Sequence, residues 1–168
     1  MKNLPIIVLI LTAVFGSSCA KNESEKVSIV GIWQLTTWTI QVPIDINGDM
    51  VKSTNLIDEA VCANNETLVF DDSGTVSSNM TYNPKVTVYV LNGSMDDYIF
   101  DIACDTEGTI GLSGSYSQNG SNISLFNTNA VISGNQLTIT YANAIDIYNE
   151  DLTEVLETKD LTLIYIKR

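Results

Sequence analysis

The segment Asp45-Ile46-Asn47-Gly48-Asp49, followed by Ser53 and Asp58-Glu59, has the sharpest chemical spacing in the chain. Oxygen-bearing side chains at alternate positions suit Ca2+, because a tight loop turns Asp45, Asn47 and Asp49 inward together. A backbone carbonyl near Val51 and the Glu59 carboxylate would complete such a shell. The spacing departs from an EF-hand loop at two places. Met50 stands where the glycine of the sharp turn is expected, and Leu56 where the bidentate glutamate is expected. The same residues also read as a hydrophilic Asn-Gly turn between a strand and a helix. Both readings stand: a Ca2+ site on Asp45, Asn47, Asp49 and Glu59, or a plain turn.

Catalytic chemistry is restricted by composition. The chain has no histidine, which removes Ser-His and Cys-His nucleophilic catalysis and ordinary zinc or copper sites. The stretch GLSGS (111–115) has an outline like a nucleophile elbow, but its second glycine is displaced and no histidine is present to act as base. Paired acids occur at Asp71-Asp72, Asp96-Asp97 and Glu150-Asp151. Carboxylates alone perform glycosidase chemistry, yet acids beside Gly, Ser or Asn are more often turns. The expectation is a protein without enzymatic activity.

The first residues decide where the chain is sent. Lys2 precedes an apolar run, Leu4 to Phe15, and then Gly16-Ser17-Ser18-Cys19. A basic start, about a dozen apolar residues and small residues before a cleavage point make a secretory signal. The run is shorter than the roughly 20 residues that a spanning helix needs. The small residues before Cys19 resemble the lipobox of bacterial lipoproteins, with Gly16 where leucine is commonest, and relaxed boxes ending in Ser-Cys are similar to those of Bacteroidota lipoproteins. The resemblance implies residues 1–18 as a lipoprotein signal peptide and Cys19 as the lipidated residue. It also implies anchorage at the bacterial outer membrane, periplasmic or surface-exposed. Acyl chains contribute about 0.8 kcal/mol per buried methylene, so they hold a domain on a bilayer without a spanning helix. Residues 19–27 are polar and read as a flexible tether.

Cleavage before Cys19 removes 18 of the 168 residues. The remaining 150 suffice for one domain with a sizeable core. Of the charged residues the leader takes only Lys2, which moves the formal net charge from −12 to −13. A field of that sign argues against nucleic acid and against direct binding to anionic lipid. With Cys19 lipidated, Cys62 and Cys104 remain as an even pair in an exported chain, where disulfides persist. That predicts a Cys62–Cys104 disulfide, the alternative being two separately buried thiols.

From Val27 onward nearly every segment reads as strand. GIWQLTTWTIQV (31–42), ETLVF (66–70), TVSSNMTY (75–82), KVTVYVL (85–91) and DYIFDIA (97–103) are rich in β-branched and aromatic residues. TIGLSGSYS, NISLFN, AVIS, QLTITYA and LTLIYIKR follow, with Asn119-Gly120 and Gly134-Asn135 as hairpin signals. Leu56, Ala60 and Val61 would share one face of a single short helix, and NEDLTEVLE (149–157) reads as a loop or one helical turn. Eight to ten short strands at regular spacing predict an all-β sandwich or antiparallel barrel, and sequential hairpins favour up-and-down order. Trp33 and Trp38 are five apart, so on a regular strand they face opposite sides; one would plug the barrel floor and the other pack outside.

The early Gly31-x-Trp33 resembles the lipocalin signature. Cys62 followed by LVFDDSGT, then Gly114-Ser115-Tyr116-Ser117 with NGSNISL, then ISGNQLTIT, is similar to the lipocalin-like domains of Bacteroidota lipoproteins. The resemblance covers roughly Val30 to Lys167. It implies that residues 28–168 form an eight-stranded antiparallel barrel with an internal cavity. Trp33, Phe70, Tyr98, Phe100 and Tyr116 are the aromatic residues expected at that cavity. The functional expectation is a lipid-anchored barrel that sequesters a small apolar or amphipathic ligand in the cell envelope. The alternative is a protein-interaction or inhibitor module with a filled barrel.

Overall fold

The computed structural model describes residues 27–59, 62–80, 82–94, 97–104 and 111–168. The leader, Cys19 and most of the 19–27 tether lie outside the described residues, as do Ala60 and Val61. The strands are β1 (Gly31–Thr39), β2 (Thr67–Phe70), β3 (Thr75–Met80), β4 (Lys85–Val90), β5 (Tyr98–Ala103), β6 (Ser113–Asn119), β7 (Asn122–Leu125), β8 (Thr128–Ser133), β9 (Gln136–Asn149) and β10 (Val155–Lys167), with one short helix, α1 (Leu56–Glu59).

Eight of the strands close a barrel. β1, β2, β3, β6, β7, β8, β9 and β10 are paired antiparallel in that order, and β10 returns to β1. Closure leaves the barrel without a free edge. The alternating pattern dictates which side chains fill it: Leu68 and Phe70, Ile123 and Leu125, Ala130 and Ile132, and Leu137 and Ile139 are buried, while their neighbours are exposed or half-buried.

At the lower end the strands are joined by short turns. Gly120-Ser121 joins β6 to β7 and Gly134-Asn135 joins β8 to β9, each closed by a flanking pair, Asn119↔Asn122 and Ser133↔Gln136. The glycines have φ of +61° and +59°, the left-handed conformation that a two-residue hairpin with Gly at its first central position requires. Across this floor lies Trp33, fully buried, its indole Nε1 donating to Ile29 O at 2.7 Å.

The pairing of β1 with β10 slips by one residue between Leu35 and Thr37. The extra residue resets the alternation, so Trp38 is buried on the same side as Trp33 and Leu35. The expectation that the two tryptophans face opposite sides is therefore corrected: it holds only for an unbroken strand.

Above this point β1 leaves β2, and side-chain amides take over the missing ladder. Asn55 Oδ1 accepts from Trp38 N at 3.0 Å while its Nδ2 donates to Thr36 O at 3.0 Å. Asn64 Nδ2 donates to Leu35 O at 3.0 Å.

The upper end departs from a simple barrel. β9 and β10 run on past it as a ribbon, with a second bulge where Asn143 (φ +51°) donates its N–H to Asp160 at 2.8 Å. Residues 149–157, ambiguous between loop and helical turn in the sequence, complete the tip of this ribbon as strand, turn and strand. β4 and β5 form a hairpin outside the barrel, and β4 pairs with the upper part of β9 in parallel, the one departure from antiparallel pairing among the described strands.

Cys62 and Cys104 form a disulfide that ties the chain after α1 to the end of β5. It closes a separation of 42 residues, for which the chain-entropy relation gives about 4 kcal/mol. Replacing both cysteines by serine is expected to lower the stability of the non-reduced protein by about 3–4 kcal/mol in urea titration. A loss well below 1 kcal/mol would show that the pair is reduced in the folded protein. Asn55→Leu, which removes both amide bonds to β1, is expected to cost about 1–3 kcal/mol with an unchanged m value. A neutral result would mean that water substitutes for the amide.

Candidate functional site

The upper half of the barrel holds a cavity of about 210 Å3. Its wall is Trp38 from β1, Leu68 from β2, Ile139 and Tyr141 from β9, and Leu161, Leu163 and Tyr165 from β10, with Leu112 and Phe126 from the neighbouring turns. Polar atoms enter at three places: Glu66 just before β2, Ser78 on β3, and Tyr82 with Asn83 in the segment after β3. Below this level the barrel is packed solid by Trp33, Phe70, Val76, Ile123 and Leu137, all essentially inaccessible. The barrel is thus filled below and hollow above.

Glu66 is placed by the same alternation that places Leu68 and Phe70, so an acid occupies an inward position and is buried. Tyr165 O–H donates to one carboxylate oxygen, and the backbone N–H of Tyr82 donates to the other at 2.7 Å. Burial raises the Glu66 carboxyl above its ordinary 4.5, and the two hydrogen bonds only partly oppose this. Burial also raises Tyr165, helped by the nearby carboxylate, and raises Tyr141 in the same way. No Lys, Arg or second acid stands among the described residues lining the cavity.

Tyr82 is buried, and its hydroxyl is the one buried side-chain polar atom among the described residues without a hydrogen-bond partner. Phe126 is a further irregularity. With Asn127 it forms the β7–β8 turn, both at positive φ (46° and 62°), a conformation expensive for a bulky residue. Its ring stands over Gly114, where an added Cβ would come within 3.1 Å. The missing side chain at 114 makes room for the ring at the cavity.

The five aromatic residues expected at a cavity are distributed elsewhere. Trp33 and Phe70 belong to the packed lower core. Tyr116 packs edge-on against Phe70 at 5.0 Å and donates its hydroxyl to Asp71 O at 2.6 Å. It borders an open depression of about 550 Å3 between β6 and the β7–β8 hairpin, edged mostly by small polar residues. Tyr98 and Phe100 lie on β5, outside the barrel, where Tyr98 O–H donates to Glu157 at 2.7 Å. None of the five lines the barrel cavity.

The 45–59 loop spends its oxygens on its own backbone. Asp45 accepts from Gly48 N at 2.8 Å and Met50 N at 3.0 Å; Asn47 accepts from Asp49 N at 2.9 Å; Asp49 accepts from Val51 N at 2.8 Å. Glu59, buried, accepts from Ile46 N at 2.9 Å. Among the described residues no group of three or more acids or cysteines is placed to hold a metal ion. Asp71 likewise accepts from the Ser73 hydroxyl and from Ser73 and Thr75 N–H groups, which lowers its carboxyl below the ordinary range. Glu150 accepts from Asn92 N at 3.0 Å. Asp96 lies outside the described residues.

No family model, curated protein or solved structure matches the chain. The cavity therefore has to be interpreted from its own chemistry.

A pH dependence follows from Glu66. An acid raised by folding binds its proton more tightly in the native state, so its contribution is present below the unfolded value near 4.5 and lost as pH rises through the folded value. The stability of Glu66→Gln relative to the parent, measured by urea denaturation across pH, is expected to climb as pH rises above that point. A flat or falling difference would show that Glu66 ionises at no cost inside the barrel.

Proposed function

We propose that the protein is a non-catalytic binder that holds a small, largely apolar molecule in the mouth of a lipocalin-like barrel, tethered to the outer membrane through Cys19. The observation that carries this is the 210 Å3 hollow at one end of an otherwise solid barrel, with apolar walls and a few convergent polar groups. Its volume is below the roughly 300–1,000 Å3 of pockets for drug-sized ligands, so the occupant is small. The one acid lining the cavity among the described residues, Glu66, is held by two donors and has no second carboxylate facing it. That suits binding rather than paired-acid hydrolysis. The anchor is supported by the leader residues ahead of Cys19 and the polar tether behind it.

A second reading has its own observation. Leu91, Leu152, Val155 and Leu156 are exposed around the outer turns of the β9–β10 ribbon and the β4–β5 hairpin, and exposed apolar groups gathered together mark protein contacts. Saturation-transfer NMR with benzyl alcohol, a small neutral probe, separates the two. Binding is expected in the parent protein, and Leu163→Trp, which fills the cavity from its wall, is expected to weaken it about tenfold or more. Absence of binding, or equal binding in the filled variant, would shift the function to the ribbon tip.

A further inference from the structure

The cavity's polar groups select among small ligands. We infer that the molecule held in the barrel mouth is a small organic cation, a primary amine on an apolar or aromatic body, whose ammonium group is received by Glu66 and the Tyr82 hydroxyl. This rests on the binding reading above and names the class of ligand for that same site.

Three observations converge on it. Glu66 is a buried carboxylate with two hydrogen-bond donors and no counter-ion, since Trp38, Leu68, Ser78, Tyr82, Tyr141 and Tyr165 around it include no cation. A carboxylate has lone pairs to spare after accepting two hydrogen bonds. Tyr82 lines the same cavity, and its buried hydroxyl has no hydrogen-bond partner, which leaves an acceptor and a donor unspent beside it. The walls are aromatic as well as aliphatic, and Trp38 and the tyrosines are the residue types whose rings attract a cation once water is excluded.

The alternatives each leave a cost uncompensated. A purely apolar occupant would add no partner for Glu66 beyond Tyr165 O–H and Tyr82 N–H, and would leave the buried Tyr82 hydroxyl unpartnered. An anion would meet a buried carboxylate and no positive charge. An ammonium group neutralises the first and hydrogen-bonds to both, and the chain's net −12 draws cations towards it. The titratable groups facing Glu66 are Tyr82, Tyr141 and Tyr165, all with burial opposing their ionisation. Glu66 is therefore the acid whose proton competes with the incoming cation.

Benzylamine, benzyl alcohol and benzoate share one ring and differ in charge, so calorimetric titration of the protein with each tests the assignment. Benzylamine is expected to bind at least about tenfold tighter than benzyl alcohol, with benzoate weakest. Its affinity is expected to rise as pH increases above 4.5 and Glu66, raised by burial, loses its proton, while the alcohol stays level. Glu66→Gln should abolish the preference for the amine yet still take the alcohol. Leu161→Trp, which leaves Glu66 in place and narrows the mouth, should exclude both.

Equal binding of amine and alcohol would overturn the cation assignment and leave the cavity reading intact. A preference that survives in Glu66→Gln, or amine binding that survives in Leu161→Trp, would place the cation on the acidic surface and overturn it too. Failure of all three probes would overturn both readings.

Discussion

Everything above the barrel floor depends on how β1 closes onto β10. A strand that alternated without interruption would carry Trp33 inside and Trp38 outside. The one-residue slip between Leu35 and Thr37 returns Trp38 to the interior, opposite Leu163. Thr36, the extra residue, is exposed and hydrogen-bonds through its hydroxyl to Ile164 O at 3.2 Å, so the slip is held rather than merely tolerated. One tryptophan then plugs the floor and the other forms a wall of the cavity. A bulged strand also bends. Beyond the bulge β1 parts from β2, and the barrel opens there.

That opening creates an accounting problem at the level of the backbone. Groups on β1 that lose their ladder partner must find another or remain costly. Asn55 and Asn64, both from the long connection between β1 and β2, provide it. The same connection buries Ile40, Val42, Ile44 and Leu56 in a core continuous with the barrel's own. The two ends of the molecule thus differ in kind. The lower end is made of tight glycine turns and a solid core. The upper end collects the register shifts of β1–β10, β2–β3 and β9–β10, a strained turn at Phe126-Asn127, a displaced hairpin and the hollow. Departures from local regularity concentrate where binding is proposed, as they do in proteins that give up local consistency for a site.

The sequence carried the architecture well because the signals were local. Alternation in LVF, NISL, QLTIT and LIYIK marks inward residues directly, and Gly120 and Gly134 mark turns through a conformation that other residues avoid. The cysteine pair was legible from parity. What escaped depended on pairing between distant segments. Nothing in GIWQLTTWT announces an extra residue at Thr36, since the slip exists only relative to β10. KVTVYV and YIFDIA look like any other strands, and their placement beside the upper β9 is a long-range choice. Glu66 did leave a trace: it occupies the inward phase of Glu66-Leu68-Phe70, and an acid in that phase is the signal for a buried carboxylate. Tyr82 lies in an irregular segment and left none. The 45–59 loop shows a different limit. Side chains that cap backbone N–H groups two or three residues on have the same alternate spacing as metal ligands, so spacing alone does not separate the two uses of one oxygen set.

The position of Glu66 is hard to account for by stability alone. Ion pairs normally accompany buried charge, because desolvation is otherwise uncompensated. The only ion pair among the described residues, Lys159–Glu157, lies on the exposed ribbon and not in the barrel. An apolar side chain at 66 would satisfy the alternation of β2 and remove the desolvation cost, while leaving Tyr165 O–H and Tyr82 N–H without their acceptor. The carboxylate therefore organises two buried donors around itself, and this arrangement holds the Tyr82 segment against the barrel mouth. It also keeps an ionisable acid, raised by its burial, at the hollow of the barrel. A group whose cost is only partly met by the fold favours an incoming charge that meets the rest. In the hollow half of this barrel, the acid whose burial the fold only partly compensates is the group to which the proposed ligand would add a partner.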